Sequence, residues 1–286
     1  MAELQNVDPS MFDEIYTELL TKLDPARPKE EWRRVMEYEW ECPEDYSGWA
    51  LVDDGRPVGF LGLIFSTIPV AGEAERFCNV TSWIVQDSHR GEAALLAFAL
   101  RRLKDYTITN LSPNHAAHRV FSSLRFKVLE THTRILFPLH VFNRRGWRPR
   151  CDITADIDKI AAMLDVDQRR VLEDHRPYAR HLAVSDDGGY CYVIYTVRPR
   201  RGIPSARIHF MSDPEVLFKH LSGVQAFLMK RDRSMFVEID ERFLEGEEVR
   251  GGYRKKLTFP RLFRSPRLAG SQVTDLYSER ILLNLS

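Results

Sequence analysis

The sequence predicts an α/β (α+β) chain built as two halves on one plan, each half a hairpin-rich sheet flanked by helices. Three observations lead there. Apolar runs of strand length alternate with longer amphipathic stretches. The same order of elements occurs twice. An Asp-Gly turn joins the first two apolar runs of each half, at Asp53-Asp54-Gly55 and at Asp186-Asp187-Gly188. Asp and Gly tolerate the left-handed backbone that a tight hairpin turn requires.

In the first half, residues 9–23 set Met11, Ile15, Leu19 and Leu23 on one stripe at i, i+4 spacing, a helix face directed at a core. A second helix over 29–40 is separated from it by Pro25 and Pro28, which cannot continue a helix. A strand ending at 50–55 turns into a second over 58–65, and a third runs over 77–85. A helix over 92–104 and a strand over 106–111 follow, and the half closes on a strand over 133–137. The second half repeats the order. It has helices at 155–164 and 167–175, a strand ending at 182–188, strands at 190–197 and 206–211, a helix at 214–230 and a strand at 235–240. Its closing strand is Glu279-Arg280-Ile281-Leu282-Leu283. The polar stretch Asn143-Arg144-Arg145-Gly146-Trp147-Arg148-Pro149 separates the halves, giving domains 1–145 and 146–286.

Of 286 residues, 44% are hydrophobic and 29% charged, the values of an ordinary globular protein. Lys+Arg and Asp+Glu both number 41, so no bulk field recruits nucleic acid or an anionic membrane. The local exceptions, Arg198-Pro199-Arg200-Arg201 and Lys255-Lys256, read as solvated loops. Cys42, Cys78, Cys151 and Cys191 form no C-x-x-C pair, which argues against zinc and gives no disulfide framework. The first residues lack the basic and apolar regions of a signal peptide, and no apolar run approaches the roughly 18 residues of a membrane span. A cytoplasmic protein is therefore expected, its oligomeric state left open.

The richest segment runs from Phe77 to Phe126. A strand ending Trp83-Ile84-Val85 feeds the turn Gln86-Asp87-Ser88-His89-Arg90-Gly91 and then a helix. A strand running into an Arg-Gly turn at a helix start aims backbone N–H groups and a positive dipole end beyond the strand, which suits a phosphate. In order and spacing this segment resembles the coenzyme A site of the GCN5-related N-acetyltransferases, the GNAT superfamily. That superfamily's pyrophosphate loop reads R/Q-x-x-G-x-G/A. Here Arg90-Gly91-Glu92-Ala93-Ala94-Leu95 keeps the Arg and one small residue, with Ala93 and Leu95 at the glycine positions. The downstream pattern N-x-x-A-x-x-x-Y-x-K-x-G-F is met at Asn114, Ala117 and Phe126, and departs at Phe121, Ser123 and Arg125. With the internal repeat, the chain resembles a tandem GNAT protein, each domain a mixed, mostly antiparallel sheet, the second degenerate.

The resemblance implies an acyl-CoA-dependent N-acyltransferase, moving an acetyl group from acetyl-CoA, or an acyl group from another acyl-CoA, to a primary amine of a small molecule or sugar. It implies that the coenzyme arm lies along the third strand, with Ile84 and Val85 polarising the thioester carbonyl through backbone N–H groups. Arg90, Gly91, Glu92, Ala93 and Ala94 would line the pyrophosphate turn, although Glu92 reads first as a helix-start residue. Asn114 would face the coenzyme arm, and it also reads as the cap of the helix after Pro113, two roles that do not exclude each other. Family members commonly place a Tyr acid where this chain has Phe121, which has no proton to give. Ser82, His115, His118 and Ser122 are the remaining candidates for proton transfer. The histidines also read as solvent-facing, and Cys78 as core. In the second half Ser212-Asp213-Pro214 stands where the Arg-Gly turn would be, so one coenzyme site per chain is expected. Two other classes stay open: a non-catalytic GNAT-fold module binding acyl-CoA or a protein partner, and a tRNA-dependent peptidyltransferase, which the neutral charge balance does not favour.

Overall fold

The computed structural model describes residues 2–138, 151–244 and 251–285, and the separating stretch expected at 143–149 lies outside them. The described strands, in chain order, are β1 (Glu3–Asn6), β2 (Gly48–Asp53), β3 (Arg56–Val70), β4 (Glu73–Val85), β5 (Tyr106–Asn110), β6 (Lys127–Leu136), β7 (Asp152–Thr154), β8 (Arg180–Asp186), β9 (Gly189–Arg200), β10 (Ile203–Met211), β11 (Phe236–Asp240) and β12 (Gly252–Arg264). The chain forms two compact units. One holds Met1–Leu129, Phe259–Val273 and Tyr277–Ser286, the other Glu130–Thr258 and Thr274–Leu276.

The first unit orders its strands β1-β2-β3-β4-β5-β12, all antiparallel neighbours except the parallel pair β4 and β5. The β2–β3 hairpin turns on Asp54 and Gly55, both left-handed at φ 46° and 75°, as the Asp-Gly reading requires. One sheet face buries Leu61, Leu63, Phe65, Cys78, Val80 and Ile108 against Leu96, Leu100 and Phe121. Burial above all holds the Cys78 thiol well above its usual range, the behaviour of a core thiol. The opening helix, read as one stripe, contains a π turn over Tyr16–Leu20. This extra residue per turn rotates the buried face, so Phe12 and Leu20 join Ile15 and Leu19 inside while Leu23 is 38% exposed. The second helix is shorter than expected, Lys29–Arg33.

The second unit repeats the plan, ordered β7-β8-β9-β10-β11-β6, with β10 and β11 as its parallel pair. Each unit is thus a mixed, mostly antiparallel sheet. The helices Ile157–Met163 and Val166–His175 start at Asp156 and Asp165, whose carboxylates accept from backbone N–H groups in the first turn. The β8–β9 turn departs from the expected left-handed form: Asp186 Oδ1 accepts from Gly188 N–H at 2.8 Å, an Asx-type turn. The helix expected over 214–230 is two, Pro214–Lys219 and Leu221–Asp232. The break falls at His220, whose Nε2 lies 2.8 Å from Asp186 Oδ2.

The closing strands are exchanged between the halves of the sequence. β12, from the second half, pairs Leu262, Phe263 and Arg264 with Asn110, Thr109 and Ile108 of β5 in the first unit. β6, from the first half, pairs Thr133–Leu136 with β11 in the second. Two further readings are corrected. Glu279–Leu282 is a helix rather than a strand, capped by extended Ser278 and buried at all four residues. Arg198–Arg200 and Lys255-Lys256 lie on β9 and β12 rather than in loops, while Arg201 stands in the turn after β9.

Candidate functional site

The site is built where β4 outruns β5. Their parallel ladder spans Arg76↔Tyr106 to Asn79↔Thr109, and among the described residues no strand pairs with β4 on that edge from Val80 to Val85. On its other edge the register with β3 breaks: Phe60 faces Ile84 and Gly62 faces Thr81, so Leu61 stands opposite both Ser82 and Trp83. This is a β-bulge, and Ser82 takes left-handed φ 54° to make it. A Cβ on Gly62 would come within 2.7 Å of the Thr81 side chain, so the bulge needs glycine opposite it. The result is a kinked strand with a free row of backbone groups, the geometry that accepts an extended ligand as an added strand.

Beyond Val85 the chain makes a 3₁₀ turn over Asp87–Glu92 and a helix over Ala93–Ala99, shorter than the 92–104 expected from sequence. His89 fixes the turn to the sheet, its Nε2 3.2 Å from Asp53 Oδ2. Arg90 is 75% exposed and pairs with Asp87 at 2.8 Å, so its guanidinium is free to re-aim. Above Gly91 the space is open. Glu92 turns away from the phosphate position, for its Oε2 accepts from the backbone N–H of Ala2 at 2.9 Å. Ala93 and Ala94 are half-buried at the helix start.

The helix His115–Ser123 starts at Asn114, whose Oδ1 accepts from Ala117 N–H at 2.9 Å, a helix cap. Phe121 is wholly buried, edge-on to Trp83 and to Phe126 at centroid distances of 5.8 and 5.0 Å. It anchors this helix to the bulged end of β4. Phe121→Ala should therefore cost about 3–5 kcal/mol, measured by urea unfolding; an unchanged midpoint would deny the ring a core role. His115 and His118 flank Phe259, and Ser122 is exposed. Ser82 Oγ lies 3.1 Å from Thr81 Oγ1.

Sequence reasoning missed Glu279. Its backbone N–H donates to Asn79 Oδ1 at 3.0 Å, and the Asn79 amide donates to Thr109 Oγ1, tying β4 to β5 at the last rung of their ladder. Ser112 Oγ, just past β5, donates to Glu279 Oε1 at 2.7 Å. Glu279 is 0% exposed, and its Oε2 has no partner among the described residues. Burial pushes this carboxyl up to about 7 against the hydrogen bonds of Ser112 and Asn79 and the charge of Arg261. Its local sequence, inside an apolar run near the end of the chain, carries no catalytic signal.

Residues 12–126 match the family model described as the acetyltransferase (GNAT) family. No curated protein matches the chain. Solved structures share the fold at low identity. A GCN5-related N-acetyltransferase from Anabaena variabilis aligns at TM-score 0.59 and 9% identity, covering 94% of this chain and 74% of that one. One from Kribbella flavida aligns at 0.60 and 10%, covering 93% and 71%. Eis1 from Mycobacterium abscessus aligns at 0.50 and 12%, covering 92% and 73%. Among the described residues, no helix is long and apolar enough to cross a membrane.

Proposed function

From the match of residues 12–126 to the acetyltransferase (GNAT) family model, we propose that the chain is an acyl-CoA-dependent N-acyltransferase that acts on a primary amine of a small molecule or sugar. The observation that carries this reading is the free edge of β4 from Val80 to Val85, bulged at Ser82 and ending at the Arg90-Gly91 turn. The pantetheine arm of acetyl-CoA or another acyl-CoA is read as lying on that edge, where Ile84 and Val85 offer N–H groups to the thioester carbonyl. Arg90, Gly91, Ala93 and Ala94 receive the pyrophosphate, Arg90 leaving Asp87 to do so. Glu92 and Asn114 also hold the turn and the neighbouring helix in place, through Ala2 N–H and Ala117 N–H.

The amine must lose a proton to attack. Glu279 is the proton acceptor in this reading: a carboxyl held near neutrality accepts a proton and returns it within one cycle. Ser112 is exposed while Glu279 is not, so the Ser112 hydroxyl is the link that takes a proton from the ammonium and passes its own to Oε1. Phe121 supplies no acid. The thiolate leaves without one, which a thiol of ordinary pKa of about 8.5 allows, or draws a proton through water, with Ser82, His118 and Ser122 as nearby donors.

The second unit is read as carrying no coenzyme. Where the Arg-Gly turn would stand, Asp213 caps the helix Pro214–Lys219, its Oδ1 accepting from Val216 N–H at 3.1 Å, which puts a carboxylate in the phosphate position. Acetyl-CoA at 100 times its dissociation constant should stabilise the fold by about 2.7 kcal/mol. Arg90→Glu should remove most of that gain, and titration calorimetry should count one site per chain. Absence of any shift with acetyl-CoA or longer acyl-CoAs would remove the main support for the transferase. One observation favours a binding module instead, the use of the acid position for a core ring at Phe121. Coenzyme binding without acylation of any amine in a broad panel would decide for it.

A further inference from the structure

Asn79 is a buried amide in an apolar stretch, 3% exposed between Cys78 and Val80 of β4. A polar side chain in such a place needs hydrogen-bond partners, and both ends of this one have them. Its Nδ2 donates to Thr109 Oγ1 at 3.0 Å, and its Oδ1 accepts from the backbone N–H of Glu279 at 3.0 Å. Asn79 and Thr109 also form the last rung of the β4–β5 ladder. The next residue, Val80, begins the stretch of β4 on which the acyl-CoA arm is read as lying.

The bond to Glu279 is a helix cap supplied from outside the helix. Glu279 opens the four-residue helix Glu279–Leu282, so its N–H has no acceptor within that helix. Ser278, ahead of it, makes no side-chain cap bond. The acceptor comes instead from β4, 200 positions earlier in the chain. A helix this short holds no fixed place by its own hydrogen bonds. Asn79 gives it one, while Ser112 Oγ, just past β5, donates to the carboxyl of the same residue at 2.7 Å. Glu279 is thus gripped where the two strands part, at its backbone from β4 and at its side chain from the exit of β5.

A tie between β4 and β5 alone needs no amide. Two β-branched apolar side chains at 79 and 109 would pack across the rung and bury no polar group. An amide adds a donor for Thr109 and, at the same time, an acceptor for Glu279. Burial raises the Glu279 carboxyl, and Ser112, its own backbone N–H, Asn79 and Arg261 of β12 all oppose. The side chain that fixes where this carboxyl stands therefore also bears on how readily it ionises.

We propose that Asn79 is a positioning residue of the transfer reaction, holding Glu279 at the point where β4 and β5 part. Its role rests on Glu279 being the proton acceptor, and the test separates the two. In the full chain, infrared difference spectra across pH follow the protonated carboxyl band that Glu279→Gln removes, a readout that needs no turnover. Asn79→Leu keeps the size of the side chain and loses its hydrogen bonds. The midpoint of the band should then rise from about 7 by about one pH unit, the size of a lost hydrogen bond to a charged group. The limb of the pH–rate profile should move up with it, and the plateau above should fall several-fold as the base leaves its line. KM for acetyl-CoA and the melting shift that acetyl-CoA gives should keep their wild-type values. Thr109→Val is the control. It removes the other bond of the same amide, so it should lower the melting temperature and leave midpoint and limb in place. Asn79→Thr, which suits a strand and is too short to reach both partners, gives the same reading if the Leu variant does not fold. An unchanged midpoint in the Asn79 variants, with Glu279→Gln still slow, would overturn this proposal and spare the base. An equal rise in Thr109→Val would overturn it as well, as a general loosening of the core. Wild-type turnover in Glu279→Gln would remove Glu279 from the reaction, and Asn79 with it.

Discussion

Glu279→Gln is expected to lower kcat by about 10²–10⁴-fold, the range of general base catalysis, while acetyl-CoA still raises the melting temperature by its wild-type amount. Gln keeps the shape of the side chain and can still accept from Ser112, but it cannot take a proton. The carboxyl titrates at about 7 in the fold, so the rate of the wild-type enzyme should climb through neutral pH as Glu279 ionises, and the variant should lose that limb. Stability carries the same signature. The folded pKa lies above the ordinary value of 4.5, so between these values the native state binds more protons than the unfolded chain. Stability therefore falls as pH rises through that window and is level on either side; the Glu279→Gln variant should lack this fall. Ser112→Ala should slow turnover while keeping the pH limb, because the carboxyl remains. Wild-type turnover and an unchanged pH profile in Glu279→Gln would transfer the base role elsewhere, with His118 and Ser82 the residues to test next.

A fragment of residues 1–149 should fail to fold. It would lack Leu262–Arg264, the strand that covers β5, and the helix Glu279–Leu282, whose four residues are all buried in the native chain. An uncovered β5 edge leaves backbone groups and apolar side chains without partners, a state that collapses or aggregates. Far-ultraviolet circular dichroism and urea unfolding should find no cooperative transition, and adding residues 150–286 in trans should restore one. Cooperative unfolding of the fragment alone, stabilised by acetyl-CoA, would sink the expectation.

What the sequence made legible was local. Asp54-Gly55 declared its hairpin because only a few residues tolerate that backbone, and the order of strand, Arg90 turn and helix declared a GNAT-like segment. What it hid depends on partners distant in sequence. The pattern of β6 and β12 marks strands at most, and periodicity does not say which sheet a strand joins; Pro260 and Lys255-Lys256 further disguised β12. The run at 279–283 is too short for its period to separate helix from strand. Ser82 gave no sign of its left-handed backbone, because a serine takes φ 54° only where tertiary context compels it. Glu279 became a candidate only through Ser112 and Asn79, 167 and 200 positions away. The basic segments looked solvated one at a time, and only pairing with neighbouring strands places Arg198–Arg200 on β9 and Lys255-Lys256 on β12.

The exchange of closing strands also fixes a timetable. A ribosome delivers the chain from the N-terminus at roughly 5–20 residues per second, so β1 to β5 emerge long before their last neighbour. The first unit, which holds the free edge of β4, cannot close until Leu262, Phe263 and Arg264 of β12 and the final helix have left the tunnel. Synthesis must therefore have passed Leu282 before that edge is backed by a finished sheet. The nascent first half has to wait with β5 uncovered, so slowing elongation after β6 should lengthen its exposure to chaperones and proteases without altering the final fold.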